Sequence, residues 1–452
     1  MPDRRSFIKG MSAASAAMAI SSSSFARTFA PADEKIKVGV IGTGLRGQSH
    51  VKLLTDRKDT EIVAICDIDE RMLTSTKNIF TKAGKTQPKV YTGDKYAYQA
   101  LCAHKGLDAI VIATPWEWHA PMILDSLKAG VKYIGTEVML GITLQDHWDV
   151  VHAATEAKAH VMMLENVCYR RDVMAVMNMV RQGVFGELIH MQGGYQHDLR
   201  NVKFNNGKNP ANSEVEFGEK GYSEAAWRTL HSVHRNGDLY PTHGIGPLAM
   251  MLDINRGNRF TSLSAFDSKA RGLHNYIVKK GGENHPNAKV NFKLGDVVTT
   301  HLKCANGETI LLQHDTNLPR PYSLGFRVQG TNGLWMDVNN SVYVEGVSKS
   351  HQWDTAKEWL EKYDHPLWKR WTAEAEGAGH GGMDFFVVHA FIESVKRRTN
   401  TPMDVYDAAT WSAITPLSES SIELGNETVE FPDFTSGNWM HRKNDFALTN
   451  EY

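Results

Sequence analysis

Three glycines and an acidic residue are the first chemically suggestive set in this chain. Gly42, Gly44 and Gly47 form a G-x-G-x-x-G turn, and Asp67 stands twenty residues beyond Gly47. In such a turn the first glycine permits a tight bend, the second lets backbone approach a pyrophosphate, and the third lets helix and strand pack closely. A helix starting there offers free N–H groups and positive potential to phosphate. A carboxylate at the end of the following strand accepts hydrogen bonds from ribose hydroxyls and repels a 2′-phosphate. Together these residues point to a bound dinucleotide, NAD in preference to NADP. Trp116-Glu117-Trp118-His119 is a second candidate set, with aromatic faces suited to a nicotinamide or a sugar ring.

The surrounding pattern supplies what this chemistry needs. Apolar runs over 36–41, 61–66, 108–113, 131–134 and 160–164 read as buried strands, alternating with helical stretches. That alternation predicts a doubly wound parallel sheet, with the glycine turn and the Trp116–His119 loop at its carboxyl edge. Beyond residue 170 the texture changes. Strands are expected over 188–195, 261–266, 296–304, 308–314 and 325–329, with an Asn306-Gly307 hairpin turn and late helices over 384–397 and 404–424. This predicts an α/β chain with a Rossmann domain over 31–165 and an α+β domain over 166–452 built on an open, largely antiparallel sheet. Residues 200–224 read as a long surface excursion.

Bulk properties exclude several classes. A formal charge of −1 over 452 residues gives no field for nucleic acid. Four cysteines, at 66, 102, 168 and 304, form neither a CxxC pair nor a metal spacing, and His231 and His234 match no ligand set, so no metal is expected. Arg4-Arg5-Ser6-Phe7-Ile8-Lys9, a weakly apolar stretch, and small-x-Ala sites at Ser24–Ala26 and Thr28–Ala30 read as a twin-arginine signal within 1–30. The expectation is export to the periplasm without stable membrane insertion.

The glycine turn, Cys66-Asp67 and Thr114-Pro115 followed by His119 resemble the glucose–fructose oxidoreductase and inositol dehydrogenase-like superfamily. Its members often pair through the open sheet face, so homo-oligomerisation is an expectation. Typical dehydrogenases of that group carry Glu-Lys-Pro after the next strand; here the stretch is Glu137-Val138-Met139, without the lysine. A sugar or cyclitol oxidoreductase is therefore the weaker reading.

The chain more closely resembles glycoside hydrolase family 109, the NAD-dependent α-N-acetylgalactosaminidases. The likeness extends through Glu165-Asn166-Val167-Cys168-Tyr169, Gly194-Tyr195-Gln196-His197-Asp198, Tyr240-Pro241-Thr242-His243-Gly244, Arg320-Pro321-Tyr322 and Gly379-His380-Gly381-Gly382-Met383-Asp384. It implies NAD contacts at Leu45, Arg46, Asp67, Trp116, Glu117, Trp118, His119, Glu137, Val138 and Asn166, with Tyr240, Pro241, Thr242 and His243 between cofactor and substrate. Tyr195, Arg228, Tyr240 and Tyr322 are the implied substrate contacts.

The reaction implied is a redox-neutral cycle. The sugar is oxidised at carbon 3, the glycosidic bond breaks by elimination across carbons 1 and 2, water adds, and carbon 3 is reduced again. The net result is retaining hydrolysis of a terminal α-linked N-acetylgalactosamine. His243 is the first candidate base, because imidazole titrates near neutrality, and Tyr195 the second. His380 is either part of a lid or merely a turn residue. The competing expectations are another hexosaminide as substrate and an NAD-holding protein that binds amino sugars without turnover.

Overall fold

The computed structural model describes residues 35–208 and 215–452; the signal-like segment and the expectation built on it lie outside these. Six strands form a wholly parallel sheet: β1 Ile36–Ile41, β2 Thr60–Cys66, β3 Lys89–Tyr91, β4 Ala109–Ile112, β5 Tyr133–Thr136 and β6 His160–Met163. Their order is β3-β2-β1-β4-β5-β6. The order reverses between β1 and β4, and that switch point opens a crevice at the strand ends. β1 and β4 are apolar and buried almost throughout, as a sheet covered on both faces requires. β3 escapes sequence reading because it is three residues long and mostly polar or half-exposed.

The second sheet has nine strands: β7 Leu188–Gln196, β8 Phe260–Asp267, β9 Val297–Cys304, β10 Thr309–Asp315, β11 Arg327–Gly330, β12 Gly333–Met336, β13 Ser341–Val344, β14 Asp354–Thr355 and β15 Val429–Glu430. The order is β14-β13-β12-β11-β7-β10-β9-β8-β15, with β7 and β10 parallel and every other pairing antiparallel. Asn306 and Gly307 turn β9 into β10, with Gly307 at φ 109°.

Two helices pack on this sheet, and one of them joins it to the first. The helix Val405–Glu423 packs on both β6 and β8, and its start is fixed by an Asp404/Asp407 capping box. The helix Thr242–Met251 lies on β7 and is buried nearly all round despite Gly244, Gly246 and Pro247. Its approach depends on glycine. A Cβ at Gly244 would sit 2.4 Å from the Gly194 nitrogen on β7. The start of this helix is thereby set directly beside Tyr195.

Within 200–224, the described stretches 200–208 and 215–224 are not simply a surface excursion. Phe204 and Val215 are buried in a small cluster with Leu273, Tyr276, Ile277 and Phe292, and Lys203 is buried as well. Apolar anchors among polar neighbours pull these stretches inward, a pattern that composition alone hides.

Candidate functional site

A cavity of about 420 Å³ opens at the β1/β4 switch point. Its floor is the glycine turn. Gly42 has φ 85°, and a Cβ there would lie 2.5 Å from the Ala113 oxygen. A Cβ at Gly47 would lie 2.0 Å from the Gly42 oxygen, whereas one at Gly44 would meet no protein atom within 4 Å. Gly44 thus leaves open space against the cavity. The helix Leu45–Asp56 begins there with no side-chain cap, so its first N–H groups are available to an anion.

Asp67 lines the cavity and accepts hydrogen bonds from the Thr43 amide (2.6 Å), the Thr43 hydroxyl (3.2 Å) and the Asp69 amide (2.9 Å). This ties the end of β2 to the glycine turn and leaves a negative group where a ribose would lie. The nearby Arg71 is held by Asp69 at 2.7 Å. A glycine-cleared floor, an uncapped helix and an acidic edge fit NAD.

Deeper in the cavity, Arg46 lies between two carboxylates. Its Nε donates to Glu137 at 2.6 Å and its Nη1 to Asp384 at 2.8 Å. Glu137 also meets His50 Nε2 at 2.6 Å. Burial pushes the Glu137 carboxyl up, but Arg46 and His50 outweigh it and hold it at about 2. Asn166 Nδ2 donates to Asp384 at 2.6 Å.

The other wall comes from the segment over 221–228 and from Tyr240. Arg228 lies over the rings of Trp116 (5.2 Å) and Tyr240 (4.9 Å) and pairs with Glu224. Tyr240 packs on Tyr195 with centroids 4.5 Å apart, and His243 stands edge-on to both, at 4.9 Å and 5.4 Å. His243 Nδ1 lies 2.8 Å from the Glu165 carboxylate, which is fully buried and also accepts from the Val167 amide. A Cβ at Gly246 would press on the Glu165 side chain at 3.1 Å, so that glycine lets helix and carboxylate meet. The Tyr195 hydroxyl lies 3.2 Å from His197 Nδ1. Burial lowers the affinity of His197 for a proton, which suits it to accept that hydrogen bond. Tyr322, 47% exposed, stands at the rim with its ring 4.9 Å from His197.

Of the residues expected from sequence, Gly42, Gly44, Leu45, Arg46, Asp67, Trp116, Trp118, Glu137, Val138, Arg228 and Tyr240 line the cavity. Gly47 lies beneath it. Tyr195, His243 and Asn166 stand one layer away, reached through Tyr240 or the Arg46 network, and Tyr322 lies beyond Tyr195. Pro241 and Thr242 are backbone at the start of the helix that carries His243. His119 turns inward: its ring nitrogens lie 2.5 Å from the Met139 oxygen and 2.8 Å from the Thr114 oxygen, which braces the ends of β4 and β5. Glu117 faces His231 at 3.5 Å. Sequence reading did not single out Asp384, His197 or Trp227, nor pair Glu165 with His243. His197 and Asp384 stood within the family-like strings without a role, and the i,i+4 spacing of His380 and Asp384 offered a further signal.

A Rossmann sheet with a cofactor cradle, closed by a second open sheet, defines an NAD-binding oxidoreductase-type architecture. Residues 36–165 match the oxidoreductase family with NAD-binding Rossmann fold, and residues 169–441 match the glycosyl hydrolase 109 C-terminal domain. The chain belongs to glycosyl hydrolase family 109. It is 58% identical over 454 residues to a glycosyl hydrolase family 109 protein of Stenotrophomonas maltophilia (strain K279a), covering 99% of both chains. It is 50% identical over 464 residues to an α-N-acetylgalactosaminidase of Tannerella forsythia, covering 98% of this chain and 99% of the other. The solved structure of levoglucosan dehydrogenase in complex with NADH and levoglucosan shares the fold. Its TM-score is 0.63 at 17% identity, over 88% of this chain and 100% of that one.

Proposed function

We propose that this chain is an NAD-dependent retaining exo-glycosidase that releases terminal α-linked N-acetylgalactosamine. One observation carries the reading beyond family membership: three buried carboxylates beside the cavity, Glu137, Asp384 and Glu165, are already engaged. Ordinary glycosidases need a carboxylic acid held protonated at working pH and a second carboxylate across the bond. Here Glu137 is held at about 2 and Asp384 lower still, because Arg46, His50 and His380 outweigh the upward push of burial. Glu165 is bound to His243. On this reading the sugar lies beyond Tyr240, against the His243 imidazole and the neighbouring tyrosines.

When bound, NAD supplies reversible hydride transfer at sugar carbon 3. The chain's own groups handle protons and position. Glu165 accepts the Nδ1–H of His243, so the imidazole lone pair is on Nε2, ready to take a proton from the sugar. Tyr195, its hydroxyl oriented by His197, holds the ring opposite. Tyr240 and Trp116 under Arg228 form an apolar, cation-capped wall that excludes water between cofactor and substrate. Val138 stands where typical dehydrogenases of this architecture place a lysine, so proton handling falls to His243.

The test is a screen of nitrophenyl glycosides with the cofactor-loaded protein in heavy water. The expected result is free N-acetylgalactosamine, deuterium at carbon 2, and no steady build-up of NADH. Stoichiometric NADH would establish a dehydrogenase, and absence of deuterium would remove the elimination step.

The Arg4-Arg5 signal supports export to the periplasm by the twin-arginine route. A redox-neutral cycle suits a compartment that does not recycle NAD. Fractionation should find the protein in the periplasm and, after replacement of both arginines by lysine, in the cytoplasm; an unchanged distribution would refute this route.

A further inference from the structure

Asp384 is 1% exposed and opens the helix Met383–Arg397. Three hydrogen bonds converge on it. Oδ1 accepts from Asn166 Nδ2 at 2.6 Å; Oδ2 accepts from Arg46 Nη1 at 2.8 Å and His380 Nδ1 at 2.7 Å. It therefore joins a residue of the glycine-turn helix, a residue that follows β6 and a loop more than 300 positions from the turn, as the 338-residue separation of Arg46 and Asp384 shows. Arg46 is left with Nη2 for a ligand, because Nε is committed to Glu137.

The loop over 377–382 is shaped around this carboxylate. Gly377, Gly381 and Gly382 have positive φ, His380 itself has φ 52°, and a Cβ at Gly379 would lie 2.6 Å from Asp384 Oδ2. The His380 side chain is 58% exposed, so it closes the network on its solvent side. A non-glycine residue in the left-handed region persists where its surroundings hold it there, and here the hold is the bond to Asp384.

We propose that Asp384 is a positioning residue that fixes Arg46 and Asn166 against the cofactor, with His380 as its outer clamp, and that opening of the 377–382 loop governs how long NAD stays bound. The inference rests on the reading that Arg46 and Asn166 face NAD, and deepens it. It fits a catalytic cycle that needs a captive cofactor. The groups facing His380 are Asp384, which favours its protonated form, Arg46, which opposes it, and Glu137, which favours it; the bond to Asp384 is the largest influence. Below its titration His380 is charged and the clamp is engaged. As pH rises through that titration the bond weakens, and release should quicken.

The experiment is a chase of bound NAD from the purified holoprotein into an excess of a second NAD-binding enzyme, followed from pH 5.5 to 9. Loss of a charged hydrogen bond predicts release about tenfold faster or more in Asp384→Asn. In His380→Ala, release should be faster at pH 6 and lose its pH dependence. A solely structural role would lower the melting temperature of these variants without altering that pH profile. Arg46→Ala is the arm that separates the two layers. If it releases NAD at the wild-type rate, the cofactor-contact reading fails and the proposal with it. If it is fast while Asp384→Asn and His380→Ala both match wild type, the contact reading stands and the proposal is overturned. Because His380 lies at the surface, its variant reports even where Asp384→Asn does not fold.

Discussion

His243→Ala should keep its NAD and lose about 10²–10⁴-fold in kcat/KM, the range that a positioned proton-transfer group contributes. The two halves of this expectation have separate structural causes. His243 is one layer removed from the cavity, behind Tyr240, so truncating it leaves the glycine floor, Asp67 and the Arg46 network untouched. Turnover suffers because no other imidazole takes its place: His197 is engaged with Tyr195, and His231 faces Glu117. Glu165→Gln should cost less, about 10–10²-fold, because the ring remains while the acceptor that fixes its tautomer is weakened. A residue that acts through another is non-additive with it. The double variant should therefore be no slower than His243→Ala alone. Initial rates on a nitrophenyl N-acetylgalactosaminide, alongside NAD released on denaturation, check both halves. Wild-type turnover in His243→Ala would remove it from the mechanism, and a cofactor-free protein would show that it serves binding instead.

What sequence reveals and conceals here follows from the range of the interactions. The first sheet was legible because each buried strand is a short, continuous apolar run next to a helical one, and the glycine turn is a local device within six residues. β7 to β11 were legible from alternation and from Asn306-Gly307. The strands β14 and β15 are two residues long, too short for a period to register. The parallel pairing of β7 with β10, which brings His314 beside Tyr195, depends on a topology that no local signal encodes. The site itself is mostly long-range. Glu165 and His243 are 78 residues apart and Asn166 and Asp384 218, and neither pair has a spacing that suggests contact. Family resemblance supplied Arg46, Glu137 and Asn166 one by one; only the folded chain shows that Arg46 bridges Glu137 to Asp384 and that Asn166 shares Asp384. His119 makes the converse point. Its motif suggested a ligand contact, while burial and two carbonyl neighbours make it a brace.

Gly47→Ala should be the most damaging single methyl group in the Rossmann half, destabilising the protein by about 3 kcal/mol or more and emptying it of NAD. The added Cβ would sit 2.0 Å from the Gly42 oxygen and 2.9 Å from its carbonyl carbon, distances that require backbone to move. The Gly42 carbonyl has nowhere to go. Its own amide is bonded to the Cys66 oxygen at 2.8 Å, and the turn runs so close to the Ala113 carbonyl that a Cβ on Gly42 would lie 2.5 Å from that oxygen. Relief must come from lifting the helix Leu45–Asp56 off the sheet, which carries Arg46 away from Glu137 and Asp384 and tilts the free N–H groups away from the pyrophosphate. Gly44→Ala is the informative contrast. Its φ of −63° suits alanine and its Cβ meets no protein atom, so the fold should be unaffected while the methyl occupies cavity space. Thermal unfolding and bound-NAD content of the two variants separate the roles. Gly47→Ala should lose both stability and cofactor, and Gly44→Ala cofactor alone. Equal stability in the two would mean that the third glycine is not a packing residue, and a Gly44→Ala protein full of NAD would mean that the pyrophosphate lies elsewhere.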